Sequence, residues 1–249
     1  MLQKRVIPCL LLRDGALVKT VNFKNFGYIG DPANTIRIFN ELEVDELILL
    51  DIIASSSNQD PDYEIIEEVS SECFMPLTYG GGIKTVDQVK KILNIGVEKI
   101  AINTSAVNNT SLIKDLVKNF GSQCIIGSID AKKNIFGNYR VVTNDGNQNT
   151  NIDPIEWAMK LENLGVGELL LTSINNEGTW RGYDQNLVKN IVEKVSIPVI
   201  ANGGAGSLEH ISDLFRNTNC SAAGVGSLVV YQKKDMGVLI NFPTQLPSL

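Results

Sequence analysis

The chain has 249 residues, a net charge of −6 and 43% hydrophobic residues, which fits one large α/β domain with a sizeable core. The acidic balance argues against a general binder of nucleic acid or anionic membrane, but not against an anionic small molecule, because local charge decides that. No apolar run nears the ~20 residues needed to span a bilayer.

In chain order, short apolar runs alternate with amphipathic stretches. The strand patterns are Arg5–Leu11, Glu46–Asp51, Met75–Tyr79, Lys99–Ile102, Gln123–Ile129, Glu168–Thr172, Pro198–Ala201 and Ala222–Val225. The helix patterns are Pro32–Glu43, Tyr63–Glu72, Val86–Leu93, Ser111–Phe120, Pro154–Leu164, Gln185–Val195, Leu208–Phe215 and a last short one near Gln232–Ile240. Strands that are apolar throughout belong in a parallel sheet covered by helices. Two connections are long, Arg13–Gly30 and Ala131–Thr150, and carry the hairpin-type turn signals Asp14-Gly15 and Asn144-Asp145-Gly146. Loops of that length are often lids or binding loops. Pro and Gly mark turns throughout rather than one boundary, so a single domain over 1–249 is expected, with residues 242–249 as a tail.

The module is written twice. Val44-Asp45-Glu46-Leu47-Ile48-Leu49-Leu50-Asp51-Ile52 matches Val166-Gly167-Glu168-Leu169-Leu170-Leu171-Thr172-Ser173-Ile174, and Gly80–Thr85 matches Asn202–Ser207 at the same offset. Val6–Leu11 sits against Ile125–Asp130. A period of half the chain is too long for a solenoid or propeller. Eight β-then-α units with a two-fold repeat predict a closed (β/α)₈ barrel, a TIM barrel of half-barrels about 1–121 and 122–241.

Barrel chemistry lies at the C-terminal strand ends. There the sequence puts Leu11, Asp51, Gly80–Gly82, Asn103-Thr104, Asp130, Thr172-Ser173, Asn202–Gly206 and Gly226-Ser227. An acid ending a buried strand needs a partner or a job, so Asp51 and Asp130 read either as loop caps or as functional carboxylates. Leu11 occupies the position that matches Asp130, so half of a two-carboxylate site is missing. Gly81-Gly82 and Gly203-Gly204 each precede a helix, where bare backbone N–H groups can face an anion. With Asn103-Thr104 and Gly226-Ser227 after the next strands, they predict two phosphate sites facing each other across the mouth; the alternative is tight turns. Lys19 is either a clamp for such an anion or a solvated lysine. At the opposite end, Arg5, Glu46, Lys99 and Glu168 start four strands, as a ring of ion pairs closing the floor or as outward surface charges.

The four cysteines, Cys9, Cys73, Cys124 and Cys220, form no CxxC pair and read as free thiols in a reducing cytoplasm. No signal peptide is expected. With a single histidine, His210, neither a metal site nor a histidine-based nucleophile machine is expected, and no cofactor is predicted. His210 reads as structural or surface.

Together these residues resemble the cyclase subunit of imidazole glycerol phosphate synthase, the HisF family. The resemblance rests on Lys4–Leu10, Asp45-Glu46-Leu47, Asp51, Pro76–Thr78 with Gly80–Ile83, Ile102-Asn103-Thr104, Phe120–Gln123, Ile129–Lys132, Gly167–Ile174 and Gly203–His210. It implies a barrel that docks a HisH-like glutaminase at its N-terminal face and receives ammonia through the floor. The family's gate matches Arg5, Glu46, Lys99 and Glu168. Its phosphate-binding positions match Lys19, Gly81, Gly82, Asn103, Thr104, Gly178, Gly203, Gly204, Gly226 and Ser227. Other mouth residues are Asp51, Thr172, Glu177 and Asn202. Of two catalytic aspartates acting as general acid and base, Asp130 matches and the other falls on Leu11, against standard cyclase activity, since a lost general acid or base costs ~10²–10⁴-fold. The family's acidic-basic-acidic run before Gly-Thr is here Asn175-Asn176-Glu177. The opening Ile7-Pro8-Cys9-Leu10-Leu11-Leu12 is similar to HisF-like paralogues of surface-polysaccharide gene sets, which implies ammonia supply to a sugar amidotransferase. The alternatives are an authentic cyclase using a displaced acid such as Asp14, and a non-enzymatic sensor of a phosphorylated small molecule.

Overall fold

A computed structural model describes residues 4–243. In chain order the strands and helices are β1 (Arg5–Arg13), β2 (Ala16–Val21), β3 (Lys24–Gly30), α1 (Pro32–Glu41), β4 (Leu47–Asp51), α2 (Tyr63–Glu72), β5 (Leu77–Gly80), α3 (Val86–Ile95), β6 (Lys99–Ile102), α4 (Thr104–Asn108), α5 (Thr110–Phe120), β7 (Ile125–Lys133), β8 (Tyr139–Thr143), β9 (Gln148–Asn149), α6 (Pro154–Leu164), β10 (Glu168–Ser173), α7 (Gln185–Val192), β11 (Val199–Asn202), α8 (Leu208–Thr218), β12 (Ala222–Val225) and α9 (Ser227–Val230). Strands β1, β4, β5, β6, β7, β10, β11 and β12 pair in parallel in that order, and β12 returns to β1. The sheet is thus a closed eight-stranded parallel barrel ringed by helices, the TIM-barrel fold.

Local chemistry explains the element limits. Asp31, Asp62, Asp153 and Asp184 cap α1, α2, α6 and α7, each accepting a backbone N–H in the first turn. Thr85 and Gln88 form a reciprocal capping box on α3, which ends at left-handed Gly96. Between the helices and the sheet lies a hydrophobic shell that includes Phe39, Leu47, Tyr79, Ile92, Leu116, Trp157 and Leu214. A second cluster fills the barrel itself: Ile7, Cys9, Ile48, Ala101, Ile126, Leu170, Ile200 and Ala222, with Leu50 against it.

The two long connections are not loops. Both are antiparallel hairpins grown from barrel strands. β1 runs on past the rim and turns at Asp14-Gly15 (φ 49° and 78°) into β2 and β3. β7 runs on in the same way, turns at residues 134–138 into β8, and β8 turns at Asn144-Asp145-Gly146 (φ 51°, 56° and 78°) into β9. Consecutive left-handed residues give the turn a twist that matches the flanking strands.

One predicted helix is absent. Gln232–Ile240 forms turns, with Asp235 at φ 62° and an isolated antiparallel bridge between Tyr231 and Val238. Gly237 and the largely exposed Met236, Val238 and Leu239 leave no continuous apolar stripe to hold a helix there. The last helix is instead the short α9. Ile240 and Phe242 pack against the core, while the rest of the expected tail, 244–249, lies outside the described residues. No helix among the described residues is long and apolar enough to cross a membrane.

Candidate functional site

The floor is built from strand starts. Side chains alternate along a strand, so Arg5, Glu46, Lys99 and Glu168 share inward parity with Ile7, Ile48, Ala101 and Leu170 above them. Of the two readings the sequence left open, the structure has the inward one. Arg5 Nη1 donates to Glu46 Oε2 (2.6 Å) and Arg5 Nη2 to Glu168. Lys99 Nζ donates to Glu46 Oε1 (2.8 Å) and Glu168 Oε2 (3.2 Å). Charges alternate around a closed ring, and the carboxylates are only 5% and 6% exposed. Burial works against the charged form of Lys99, but hydrogen bonds and Coulombic attraction from the two glutamates hold its pKa above the ordinary lysine value.

The layer directly above the ring is apolar except for Thr78, whose Oγ1 is buried without a partner, and Ser128 stands inward in the layer above that. Beyond it the barrel opens into a cavity of about 310 Å³. Except for Ser173 and Gly206, which bond Asn176 and His210 instead, every mouth residue named from the sequence lines it: Leu11, Lys19, Asp51, Gly80–Gly82, Asn103, Thr104, Asp130, Thr172, Glu177, Gly178, Asn202–Ala205, Gly226 and Ser227. Asp14 does not. It sits on the exposed hairpin turn, paired with Arg13, and lines a separate cleft.

The two halves reuse one backbone. Gly81 and Gly82 (φ 131° and 68°) correspond to Gly203 and Gly204 (φ 92° and 110°). A side chain on Gly81 would strike Asp51 O at 2.6 Å, and one on Gly203 would strike the matching Ser173 O at 2.9 Å. Asn103 (φ −117°, ψ −88°) and Gly226 (φ −118°, ψ −88°) have the same unusual conformation ahead of α4 and α9.

Asp130 is the best-placed acid. Asn103 Nδ2 donates to its Oδ2 at 2.7 Å, and Thr172, itself bonded by Asn202 Nδ2 at 3.2 Å, lies beside it. Loss of water pushes the Asp130 carboxyl up to about 7, with Asp145 adding repulsion and the bonds from Thr172 and Asn103 pulling the other way. At neutral pH such a group can both give and take a proton. Leu11, 7% exposed and aliphatic, offers it no partner. Asp51 is partly spoken for: Ile53 and Ala54 N–H donate to its Oδ1, both at 3.1 Å, as in the loop cap the sequence allowed. Desolvation raises its pKa all the same.

Lys19 is 7% exposed, and its side chain makes no hydrogen bond or ion pair among the described residues. Its Nζ lies where Gly226 would carry a side chain, so the missing Cβ opens the space the amine occupies. Glu177 Oε2 accepts Phe23 N–H (3.0 Å), and Glu177 O accepts Asn22 N–H (2.9 Å), which ties the first hairpin to the loop after β10. Gly178 (φ 71°) lets that loop touch the Thr20 carbonyl.

Asp145 was read from the sequence only as part of a turn. Asn144 N–H donates to Thr104 Oγ1 (3.1 Å), and this anchors the turn over the Asn103-Thr104 loop with Asp145 on the cavity wall. His210 is structural: its Nδ1 accepts Gly206 N–H (3.1 Å). All four cysteines are free, with Cys9 and Cys220 buried. No group of three or more His, Cys, Asp or Glu among the described residues is arranged to hold a metal ion.

Fold and site together define a (β/α)₈ barrel with an ion-paired floor and a polar mouth framed by two repeat-related glycine loops. The model of a family described as "Histidine biosynthesis protein" matches residues 5–235. Over 243 residues the chain is 54% identical to a protein of Pseudomonas aeruginosa provisionally named imidazole glycerol phosphate synthase subunit hisF2, covering 98% of this chain and 97% of the relative. It is 43% identical over 256 residues to imidazole glycerol phosphate synthase subunit HisF of Methanococcus vannielii, covering 95% and 94%. Against the HisF subunit of Streptococcus mutans the identity is 41% over 231 residues, covering 93% and 92%. The chain belongs to the histidine-biosynthesis family and is a HisF-like barrel within it.

Proposed function

We propose that this chain is the ammonia-channelling, HisF-like subunit of a glutamine amidotransferase, supplying a sugar amidation in surface-polysaccharide synthesis rather than the standard cyclisation. The observation that carries the reading is the pairing of an intact floor ring with Leu11 at the second acid position. Ammonia released by a HisH-like glutaminase at the N-terminal face would pass the ring of Arg5, Glu46, Lys99 and Glu168. It would then cross an apolar interior in which Thr78 and, one layer higher, Ser128 have inward parity and can hydrogen-bond a neutral guest. The floor margin also offers a docking feature: Phe74, just ahead of β5, is 85% exposed. Such a function sets the chain in the cytoplasm, with a sugar amidotransferase as the acceptor of the ammonia.

Asp130 alone can shuttle a proton, but ring closure by paired acid and base needs a second group, and Leu11 cannot supply it. Lys19 would hold an anionic group of the mouth ligand. The paired floor also weighs against a pure sensor, which needs no ammonia path.

The test is ammonium-driven turnover of the family's doubly phosphorylated substrate by the wild type and by Leu11→Asp. No turnover in the wild type, with activity appearing in the variant, supports the reading. Clear wild-type turnover overturns it and returns the chain to histidine synthesis.

A further inference from the structure

The exposed apolar side chains of this barrel are concentrated at one end. Among the described residues twelve large hydrophobic side chains are exposed, and eight of them lie on three mouth-side segments. The first is the β2–β3 hairpin, with Phe26 and Tyr28. The second is the turn from β7 into β8, where Ile135 and Phe136 are 93% and 81% exposed. The third is residues 231–240, with Met236 and Leu239 half exposed. Tyr231 sets it against the first, its hydroxyl lying 3.1 Å from where Gly27 would carry a Cβ. Strands β1 and β7 stand opposite each other in the barrel, so the first two segments rise from opposite walls of the cavity, and Phe26 lines it. None of these six side chains belongs to the packed core. Strand β3 also has a free edge, because it pairs only with β2.

Charge is sorted the same way. Residues 21–28, 132–140 and 231–240 carry Lys24, Lys132, Lys133, Arg140, Lys233 and Lys234 against a single acid, Asp235, in a chain whose net charge is −6. Of the six cations only Lys133 forms an ion pair among the described residues, with Asp184 at 3.6 Å. An apolar surface with a basic border complements an apolar surface with an acidic one. Together the three segments have the size of one side of a standard protein interface, roughly 20–30 residues.

The chemistry of ammonia selects the occupant. Ammonia leaving an open mouth would take a proton from water and lose its nucleophilic lone pair. Enclosure has to continue from the barrel into the site where the ammonia reacts, so the acceptor must seat on the rim rather than wait in solution. A second copy fits poorly, because a shared two-fold face would set basic border against basic border. A lipid surface would close the exit and offers no group to aminate. From these observations we infer that the rim is the docking face for the enzyme that consumes the ammonia, which meets it with an apolar patch edged by Asp and Glu. The inference rests on the ammonia-conduit reading of the proposed function and adds the surface and the character of the partner. The mouth of the free chain stays open to small molecules, so the Leu11→Asp turnover assay is independent of it.

The experiment combines the full chain with a HisH-like glutaminase and a sugar amidotransferase, chosen as one whose ammonium-driven amidation becomes glutamine-driven when the other two are added. Amidated sugar is measured with glutamine and, separately, with ammonium. Ile135→Asp with Phe136→Asp, and independently Tyr28→Asp, should lower glutamine-driven amidation at least about tenfold, the scale of one lost interface hot spot. Glutaminase binding, ammonium-driven amidation and Tm should stay as in wild type, because these side chains lie outside the core and the cavity. Lys233→Glu with Lys234→Glu should weaken binding of the amidotransferase, and salt should weaken it more in wild type than in this variant.

Unchanged glutamine-driven amidation in both apolar variants overturns the inference. So does assignment of the face elsewhere, through self-association of the chain or binding to phosphatidylglycerol vesicles that the same variants abolish. If no amidotransferase gains glutamine-driven activity from the chain, the conduit reading falls and the docking face with it. A gain that survives the rim variants sinks the docking face alone.

Discussion

Replacing Lys99 with Met tests whether the floor is a coupled ion ring. The side chains are close in volume, so the change removes charge and hydrogen bonds while retaining most of the packing. Glu46 and Glu168, 5% and 6% exposed, would each keep one partner, Arg5, and lose the other. Removing one member of a buried pair costs ~3–5 kcal/mol when the remaining charge is left alone. Arg5 still serves both acids and the Lys99 side chain is 24% exposed, so the expected loss is about 2–3 kcal/mol. In a chain of this size that lowers Tm by roughly 4–12 °C.

The assay is thermal and urea unfolding at low and high salt. Exposed pairs are screened by salt, whereas this loss should persist, because the acids are buried. Adding Glu168→Gln to Lys99→Met should recover part of the loss, since an orphaned charge leaves with it. The ring also has a pH signature. The pKa of Lys99 is raised in the folded state, so its contribution is complete below the unfolded lysine value of ~10.4 and disappears as pH climbs through the higher folded value. A Lys99→Met protein that is as stable as wild type, or whose loss vanishes in salt, would refute the reasoning.

Asp130→Asn should stabilise the protein at about pH 8 by about 1–3 kcal/mol and leave it unchanged near pH 4. The sign follows from a folded pKa of about 7: between the unfolded aspartate value and 7 the folded state holds the extra proton, so wild type loses stability as pH rises. Urea unfolding across that range checks it, and a flat difference between the two proteins would count against burial as the cause. Gly178→Ala should separate the first hairpin from the loop after β10, because a Cβ would fall on the Thr20 carbonyl at a φ of 71°; hydrogen exchange at Asn22 and Phe23 should quicken with the barrel strands unaffected. Gly226→Ala should displace the Lys19 amine and weaken inorganic phosphate binding by about tenfold, with little change in Tm, because the displaced atom ends a flexible chain. Unchanged phosphate affinity in that variant would remove Lys19 from the anion site.

The regular part of this fold is legible because its signal is periodic. Lys99–Ile102, Ala222–Val225, Tyr63–Glu72 and Pro154–Leu164 have the same limits in sequence and structure, since apolar runs end there at capping acids, Gly or charge. Limits moved where backbone pairing outran composition: β1 and β7 continue past the apolar run to Arg13 and Lys133 because each gains an antiparallel partner beyond the rim. The turn residues Asp14-Gly15 and Asn144-Asp145-Gly146 announced the turns into β2 and β9, but β3, with Phe26 and Tyr28 exposed, and the two polar residues of β9 present no buried apolar face to announce themselves. The same polarity hid Asp145 from site reasoning. Its place on the cavity wall depends on a turn folding back over β6, a contact between distant stretches of chain that local pattern does not encode.

Duplication explains why the mouth could diverge without the fold following. Left-handed glycines are enforced by close contacts with Asp51 O in one half and Ser173 O in the other, so the two backbones are held alike by sterics. Side chains on hairpin turns answer to no such constraint. Leu11 and Lys19 lie on the first hairpin and its root, and Asp130 and Asp145 on the second. Exchanging an acid for Leu11 removes a proton carrier at a position whose neighbours, Val18 and Leu50, already accept an aliphatic side chain. Setting an acid at Asp145 uses a turn conformation that Asp tolerates. Both changes leave the barrel, the floor ring and the glycine loops untouched, so the far end of the scaffold can change while its floor stays the same.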